Sequence, residues 1–199
     1  MARSNPQRRR ELADAVVALL AADGLRGVTH RAVDARAQVP TGTASNYFPD
    51  HDALLVAAAH RIVDLQLDDM VAGSTHTPDG VDPIDHLTAL LAGSLVAATS
   101  SHRDRYRAIF ELQLESRRRP AVAGALEGLA ATAATFTGAL HRDLDLPVPE
   151  QAVGRLMTLS GGVLFVLVTG PPVAVEEIRS LARGIVHGAL GAEPRPGDD

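Results

Sequence analysis

The chain has 199 residues, of which 46% are hydrophobic and only 3% aromatic, so Ala, Leu and Val must form its core. Such a composition favours packed helices over a sheet, and the absence of Cys excludes disulfides, thiolate metal sites and a cysteine nucleophile. The longest apolar run, residues 156–168, is shorter than the ~20 residues of a membrane-spanning helix. No N-terminal run resembles a signal peptide, so we expect a soluble, cytoplasmic protein that does not bind a membrane.

Charge is divided unevenly along the chain. All 19 basic residues are Arg, and residues 1–48 hold seven of them against four acidic residues. Residues 49–199 hold twelve Arg against twenty acidic residues. A basic head on an acidic body fits a DNA-binding module joined to a domain of another kind.

The first predicted helix spans residues 6–22. Asn5 followed by Pro6 is a favourable helix start, apolar residues recur behind them at helical spacing, and Gly24 supplies a left-handed stop. The run Arg8–Arg10 lies on the first turns of this helix. Its side chains are either contacts to DNA phosphates or part of a solvated face, and the sequence leaves both open.

The next stretch predicts two short helices joined by a tight turn and followed by a long helix. Thr29 is a suitable N-cap for a helix over residues 31–37, and Pro40 breaks that helix. The second helix covers residues 41–47, and Asp50 can cap the third. A pair of short helices across a turn of a few residues is the helix-turn-helix pattern, whose second helix enters the major groove of DNA.

This stretch resembles the DNA-binding domain of the TetR family of bacterial transcriptional regulators. The family pattern opens a helix with Thr, continues A-x-x-A-G-V-S, ends the second helix with Y-x-H/Y-F and follows it with x-x-K-x-x-L-L. The corresponding segments here are Thr29, Ala37-Gln38-Val39-Pro40, Ser45-Asn46-Tyr47-Phe48 and His51-Asp52-Ala53-Leu54-Leu55. The departures are Gln38 for the turn Gly, Pro40 for the capping Ser, Ser45 for the first Tyr and His51 for the Lys.

The resemblance implies which side chains meet DNA. The residues that it places at the groove are Thr41, Gly42, Thr43, Ser45 and Asn46, and Asn can pair bidentately with adenine. Arg31 is a base contact or a phosphate contact, with neither preferred. The implied phosphate contacts are Thr29, His30, Tyr47 and His51.

Further helices are predicted over residues 50–71, 83–100, 101–119, 121–144, 150–168 and 175–190. The fold class is therefore all-α, with about nine helices. The domains are a helix-turn-helix DNA-binding domain at residues 1–49 and a ligand-binding and dimerisation domain at residues 50–199. The last two helices, residues 150–190, carry broad apolar faces, and the resemblance assigns them to a homodimer that binds pseudo-palindromic operator DNA.

Five polar or aromatic side chains on otherwise apolar helices are candidates to line a pocket for a small, largely apolar effector. They are His60, His86, Tyr106, Phe110 and Gln113. Each of them, taken alone, also fits an ordinary core or surface position.

No motif for catalysis, metal binding or cofactor binding occurs: there is no His-Glu-x-x-His, no Glu-x-x-His pair, no Gly-x-Ser-x-Gly and no phosphate loop. We therefore predict a DNA-binding transcriptional regulator without enzyme activity or cofactor, a repressor that a small-molecule effector releases from its operator. The alternative is a ligand-binding helical protein of the same fold that has lost specific DNA binding. A helical enzyme is the rival from another class.

Overall fold

The structure is a computed structural model that describes residues 5–73, 80–128, 131, 135 and 150–191. The described residues form helices and turns, without a strand, in agreement with the predicted all-α class. The helices are α1 Pro6–Gly27, α2 His30–Arg36, α3 Thr43–Tyr47, α4 His51–Gly73, α5 Pro83–Thr99, α6 Arg103–Ser116, α7 over residues 120–128, α8 Glu150–Thr169 and α9 Val175–Leu190.

Short polar side chains start several helices by accepting hydrogen bonds from amides that have no partner within the helix. Asn5 accepts from Gln7 N at 3.0 Å, Thr29 from Ala32 N at 3.1 Å and Asp50 from Ala53 N at 2.8 Å. Each such cap stabilises a helix by about 1 kcal/mol. All three predicted caps are confirmed.

Two helix boundaries differ from the prediction: the end of α1 and the start of α3. Gly24 has φ 64°, as predicted for a stop, but a further helical turn follows it to the end of α1. α3 begins at Thr43 because residues 41 and 42 form a turn in which Thr43 N donates to Pro40 O. The predicted helix over 121–144 is described only in part, and the predicted loop over 145–149 and the tail after Gly191 lie outside the described residues.

Two compact units divide the chain. Unit 1 comprises Met1–Gly73 and Asp104–Thr132, and unit 2 comprises Ser74–Arg103 and Ala133–Asp199. α6 and the described part of α7 therefore belong to the same unit as the helix-turn-helix. The predicted domain boundary between residues 49 and 50 stays a prediction.

Unit 1 has an apolar core to which α1, α2, α3, α4, α6 and α7 all contribute. Its largest fully buried side chains are Leu12, Val16, Leu20, Val28, Val33, Phe48, Leu54, Leu55, Ile62, Leu112 and Val122. Three polar ties hold α4 against α6 and the turn after it: Asp52 with Arg119, Gln66 with Tyr106, and Asp69 with Arg105. Since residue numbers rise on α4 while they fall on the partner segment, the two run antiparallel.

Unit 2 is built from α5, α8 and α9, with α5 packed on both of the other two. Arg103 ends α8 by donating from Nε to Val168 O at 3.1 Å and from Nη2 to Gly170 O at 2.9 Å. Only 22% of the α8 window Ala152–Thr169 is buried. By length and composition this one helix, among the residues searched, could cross a membrane. That is weak support for a membrane span, because helices that pack in soluble proteins have the same character.

Candidate nucleic-acid interface

Asp34 joins the two short helices of the helix-turn-helix. Its carboxylate is buried, with 2% exposure, and accepts from Gly42 N at 2.7 Å and from Ala44 N at 2.6 Å. These amides lie at the start of α3, where Gly42 as N-cap offers no side chain. A carboxylate at this point satisfies both donors and the positive end of the helix dipole. Asp34 therefore fixes the position and angle of α3 relative to α2.

α3 presents short polar side chains on its uncovered side. Thr41, Ser45 and Asn46 are exposed, whereas Ala44 on the opposite side is fully buried. Two hydroxyls are already oriented by the backbone: Thr43 donates to Pro40 O at 2.6 Å and Ser45 donates to Gly42 O at 2.9 Å. Their lone pairs stay available as acceptors, and the Asn46 amide has no hydrogen-bond partner within the described residues.

Gly42 is one position where the turn needs glycine. Its φ of 93° is a conformation that residues with a Cβ rarely adopt, and no atom lies within 4 Å of a Cβ built on it. The space that a side chain at position 42 would occupy is therefore open, so another molecule could approach the Gly42 Cα closely.

Of the residues at α2 that are predicted to contact DNA, some already bond within the protein and others are exposed. Thr29 is exposed but caps α2, and Arg31 is exposed with no partner in the part of the chain that is described. His30 donates from Nε2 to Phe48 O at 2.8 Å. The described His30 ring therefore holds the chain leaving α3, and its Nε2 is not available to a phosphate in this arrangement.

Arg9 has a role that neither sequence interpretation of the run Arg8–Arg10 included. Its guanidinium lies over the Phe48 ring, 4.6 Å from the centroid, and its Nη1 donates to Tyr47 O at 3.2 Å. Arg8 pairs with Glu11 at 2.9 Å, and Arg10 is exposed. Arg9 thus fastens the end of α3 to α1, so this run combines a structural contact with an exposed cation.

The start of α4 carries a chain of ion pairs. His51 is half-buried, and Asp52 in the first turn pairs with Arg119. Arg119 also donates from Nε to Glu115 Oε1 at 2.6 Å. The hydrogen bond from Arg119 lowers the pKa of Glu115, and the hydrogen bonds to Glu115 and then Asp52 raise the pKa of Arg119. Both groups therefore stay ionised at neutral pH.

Two departures from the family pattern are accommodated by the backbone. Gln38 takes the left-handed conformation, with φ 56°, and Val39 N donates to Asp34 O at 3.0 Å across it. This is the C-terminal arrangement that Gly usually occupies. Pro40 has no hydroxyl with which to cap α3, and Asp34 supplies the acceptors instead.

The five candidate pocket residues are not assembled around one described cavity. His60 is exposed and lines a shallow cleft of about 300 Å³ between α1 and α4 together with Arg10, Arg61 and others. Tyr106 accepts from Gln66 Nε2 at 3.3 Å. Phe110 is half-buried and Gln113 is exposed, both in unit 1. His86 is half-buried in unit 2, and its buried Nε2 has no hydrogen-bond partner among the described residues.

Sequence reasoning missed three residues because their partners are distant in the chain. Arg9 bonds across 38 positions and Arg119 across 67. Asp34 bonds over 8 and 10 positions, beyond the range of a local cap. The sequence offered one signal for Asp34: α3 begins after Gly42, which has no capping side chain, and the preceding helix carries an acid that can cap it.

The residues that the structure describes contain no candidate metal site. No group of three or more His, Cys, Asp or Glu side chains there is arranged to hold an ion.

Comparison with known proteins identifies the family. The model of the tetracyclin repressor-like C-terminal domain matches residues 82–192, more than half of the chain. The chain belongs to the TetR family. The match lies outside residues 28–55, so two separate parts of the chain support the same assignment. This protein is a helix-turn-helix transcriptional regulator, as predicted.

Several TetR-family relatives resemble the chain over nearly its whole length. The HTH-type transcriptional regulator BetI of Cronobacter sakazakii is 28% identical over 193 residues, which cover 95% of this chain and 94% of BetI. The multidrug binding protein EbrR, solved with imidazole, is 30% identical with TM-score 0.65 over 97% of this chain and 93% of EbrR. A member of the TetR family from Streptomyces coelicolor A3 is 28% identical with TM-score 0.65, covering 90% and 98% of the two chains.

Proposed function

We propose that this regulator is a cytoplasmic repressor that binds a pseudo-palindromic operator as a homodimer and is released by a small-molecule effector. DNA binding is supported by the arrangement of α3, which is held in place by the buried carboxylate of Asp34 and presents exposed polar side chains. A rigid helix with short polar groups and open space at the Gly42 Cα suits entry into the major groove.

Contacts on the two short helices would divide between bases and backbone. Asn46 is the candidate for a bidentate contact to adenine, and Arg31 is the candidate for guanine or for a phosphate. The Thr41 hydroxyl can donate to a base or a phosphate, whereas the hydroxyls of Thr43 and Ser45, which already donate to the backbone, offer lone pairs to donors on the bases. His30 is better placed to hold the end of α3 than to contact DNA, because its Nε2 is committed to Phe48 O.

Dimerisation would use α8 and α9, as predicted for residues 150–190. α8 leaves large apolar side chains uncovered, with Leu159, Phe165 and Val166 exposed by 43%, 47% and 65%. α9 has exposed Gly184 and Gly188 beside its buried stripe. An apolar helix of this kind in a water-soluble regulator favours a second protein surface as its cover.

The effector would be small and largely apolar. EbrR has been solved with ethidium, a planar aromatic cation, and this form is 27% identical to the chain with TM-score 0.65 over 89% and 98% of the two chains. Of the five predicted lining residues, Tyr106 and Phe110 are the candidates that the structure favours, because both are half-buried in unit 1, whereas His60 and Gln113 are exposed and His86 lies in unit 2. An effector releases DNA only if it binds better to the conformation that does not bind DNA.

The test is selection of bound duplexes from a random DNA pool with purified protein, followed by affinity measurements on Asn46→Ala and Arg31→Ala. We expect one inverted repeat, and we expect each substitution to weaken binding by about 1–3 kcal/mol. Arg26→Ala, an exposed Arg in the last turn of α1, is the control. Unchanged affinity in both test variants would show that the base-contacting surface is elsewhere.

The alternative, a ligand-binding protein without specific DNA binding, makes a different prediction in the same experiment. Selection would then return no sequence above background at any salt concentration. Binding that does occur should weaken steeply with salt, because phosphate contacts release counterions.

A further inference from the structure

We propose that the α6–α7 turn, residues 117–119, forms an additional contact surface for the DNA backbone beside the start of α4. The proposal rests on the proposed function, since it concerns how the same protein meets operator DNA. It goes beyond the helix-turn-helix, because these residues lie far along the chain from α1–α4.

The position of this turn follows from the pair between Arg119 and Asp52. Asp52 lies five residues after Tyr47, the last residue of α3, so their Cα atoms are at most about 18 Å apart. The major groove is only ~12 Å wide, and its two phosphate backbones flank whatever helix occupies it. The turn that holds Asp52 is therefore separated from α3 by no more than a distance comparable with the groove and its flanking backbone, and we place the turn beside that backbone.

The charges at the start of α4 make such a contact useful. Residues 50–52 contain Asp50, His51 and Asp52, so two carboxylates and no Arg stand where the chain leaves α3. Both carboxylates would repel phosphates. Arg119 neutralises Asp52 directly, and the adjoining Arg117 and Arg118 add two further positive charges. With Glu115, which pairs with Arg118 and Arg119, three carboxylates face three Arg side chains, so this end of α4 is neutral and lacks the repulsion that its carboxylates alone would cause.

The exposure of the three Arg side chains distinguishes their roles. Arg119 is 30% exposed and held between Asp52 and Glu115. Arg118 is 76% exposed and makes one 3.4 Å pair with Glu115, whose side chain is only 11% exposed. Arg117 is exposed as well. A brace between α4 and α6 needs Arg119 alone, whereas Arg117 and Arg118 project cations into solvent from the same turn.

The test compares the salt dependence of DNA binding for Arg118→Ala, Arg26→Ala and wild-type protein, using the selected duplex and a mixed-sequence duplex. Arg26 is the control, because it is also an exposed Arg of unit 1 but lies in the last turn of α1, outside α2 and α3 and outside the helices proposed for dimerisation. For Arg118→Ala we expect the plot of log affinity against log salt to become less steep by about 0.9 on both duplexes. The loss of affinity relative to wild type should therefore be about eightfold larger at 0.1 M than at 1 M salt. Arg26→Ala should keep the wild-type slope.

A second variant, Asp52→Asn, separates DNA contact from bracing. It removes a carboxylate near the phosphates and frees part of Arg119, so DNA binding should become tighter. A purely structural role for the Asp52–Arg119 pair predicts weaker binding instead. Circular dichroism of each variant confirms that it is folded before affinities are compared.

The outcomes are distinguishable. Wild-type protein that binds neither duplex contradicts the proposed function itself. If the wild type binds, a wild-type slope in Arg118→Ala or weakened binding in Asp52→Asn overturns this inference and leaves the proposed function standing. A reduced slope in Arg118→Ala together with tighter binding by Asp52→Asn supports it.

Discussion

Each of the two units of this regulator is stabilised internally by a different balance of contacts. Unit 1 combines its apolar core with polar ties between distant residues, such as Asp34 with the α3 amides, Arg9 with Tyr47 O and Arg119 with Asp52. Unit 2 rests mainly on apolar packing of α5 against α8 and α9, and its α8 leaves Phe165 and Val166 exposed. Both units have apolar cores, but among the described residues unit 1 has more polar ties between distant side chains, whereas unit 2 has those of Arg103.

This difference matches what each unit has to do. Hydrogen bonds and ion pairs depend on angle and distance, so they hold α3 in one orientation, as recognition of a fixed DNA surface requires. Apolar packing depends mostly on area and tolerates small shifts more easily. That tolerance would let the helices of unit 2 adjust to a second copy of the chain in the proposed dimer.

The largest effect is expected for Asp34→Ala in unit 1. Loss of the buried carboxylate leaves the amides of Gly42 and Ala44 without their acceptor, and hydrogen bonds to a charged group contribute about 1.5–3 kcal/mol each. We expect a loss of about 3–6 kcal/mol in unfolding free energy, measured by urea denaturation, together with loss of DNA binding.

Asp14→Ala is the control for that substitution. Asp14 is also an acid in unit 1, but its side chain is 47% exposed and its pair with Arg61 lies at the surface. Exposed pairs contribute about 0–1 kcal/mol, so this variant should remain close to wild type. Equal losses in both variants would mean that Asp34 is no more important than a surface ion pair.

The second prediction concerns the exposed apolar side of unit 2. Val166→Asp places a charge on α8 where the side chain is 65% exposed, so the fold of one chain should change little. Burial of that charge between two subunits would be costly. We expect the dimer dissociation constant to rise by about 100-fold or more, as for substitutions at interface hot spots, measured by sedimentation velocity at several concentrations.

Leu114→Asp is the matched control, because Leu114 on α6 is 67% exposed and lies outside α8 and α9. It should leave the association state unchanged. A Val166→Asp protein that remains as dimeric as the Leu114→Asp protein would assign the subunit contact to another surface.

Contacts between residues that are close in sequence could be predicted, whereas contacts between distant residues could not. Helix caps at Asn5, Thr29 and Asp50 act within three residues, so composition and spacing predict them. The ties made by Asp34, Arg9 and Arg119 join residues 8 to 67 positions apart and appear only once the chain is folded. Apolar periodicity placed the helices well, but it could not show that α6 would share unit 1 with α1–α4.

A third prediction uses pH to test the ion-pair chain of unit 1. Arg119 lowers the pKa of Glu115 from its ordinary value of 4.5, so ionised Glu115 stabilises the fold above that value. This contribution should disappear as pH falls below 4.5 through the lowered pKa. Measured by urea denaturation, the advantage of wild type over Glu115→Gln should be constant near neutrality and shrink in acid. An advantage that stays constant in acid would contradict the role of Arg119.

The smallest effect is expected at Gln38, where the rigid ties of unit 1 hold a residue with a Cβ in a left-handed conformation. That conformation costs about 1–2 kcal/mol for residues other than Gly, while Gly adds entropy to the unfolded chain. Gln38→Gly should therefore raise the unfolding free energy by about 0.5–1 kcal/mol, and Gln38→Ala, which keeps a Cβ, should not. The Gln38 side chain is exposed, and the backbone bond from Val39 N to Asp34 O closes the turn around it.

A gain in stability that is specific to Gly would mean that the hydrogen bonds of Asp34 hold this turn against local strain. Equal stability of the two variants would mean that the turn is unstrained and that these hydrogen bonds only orient α3.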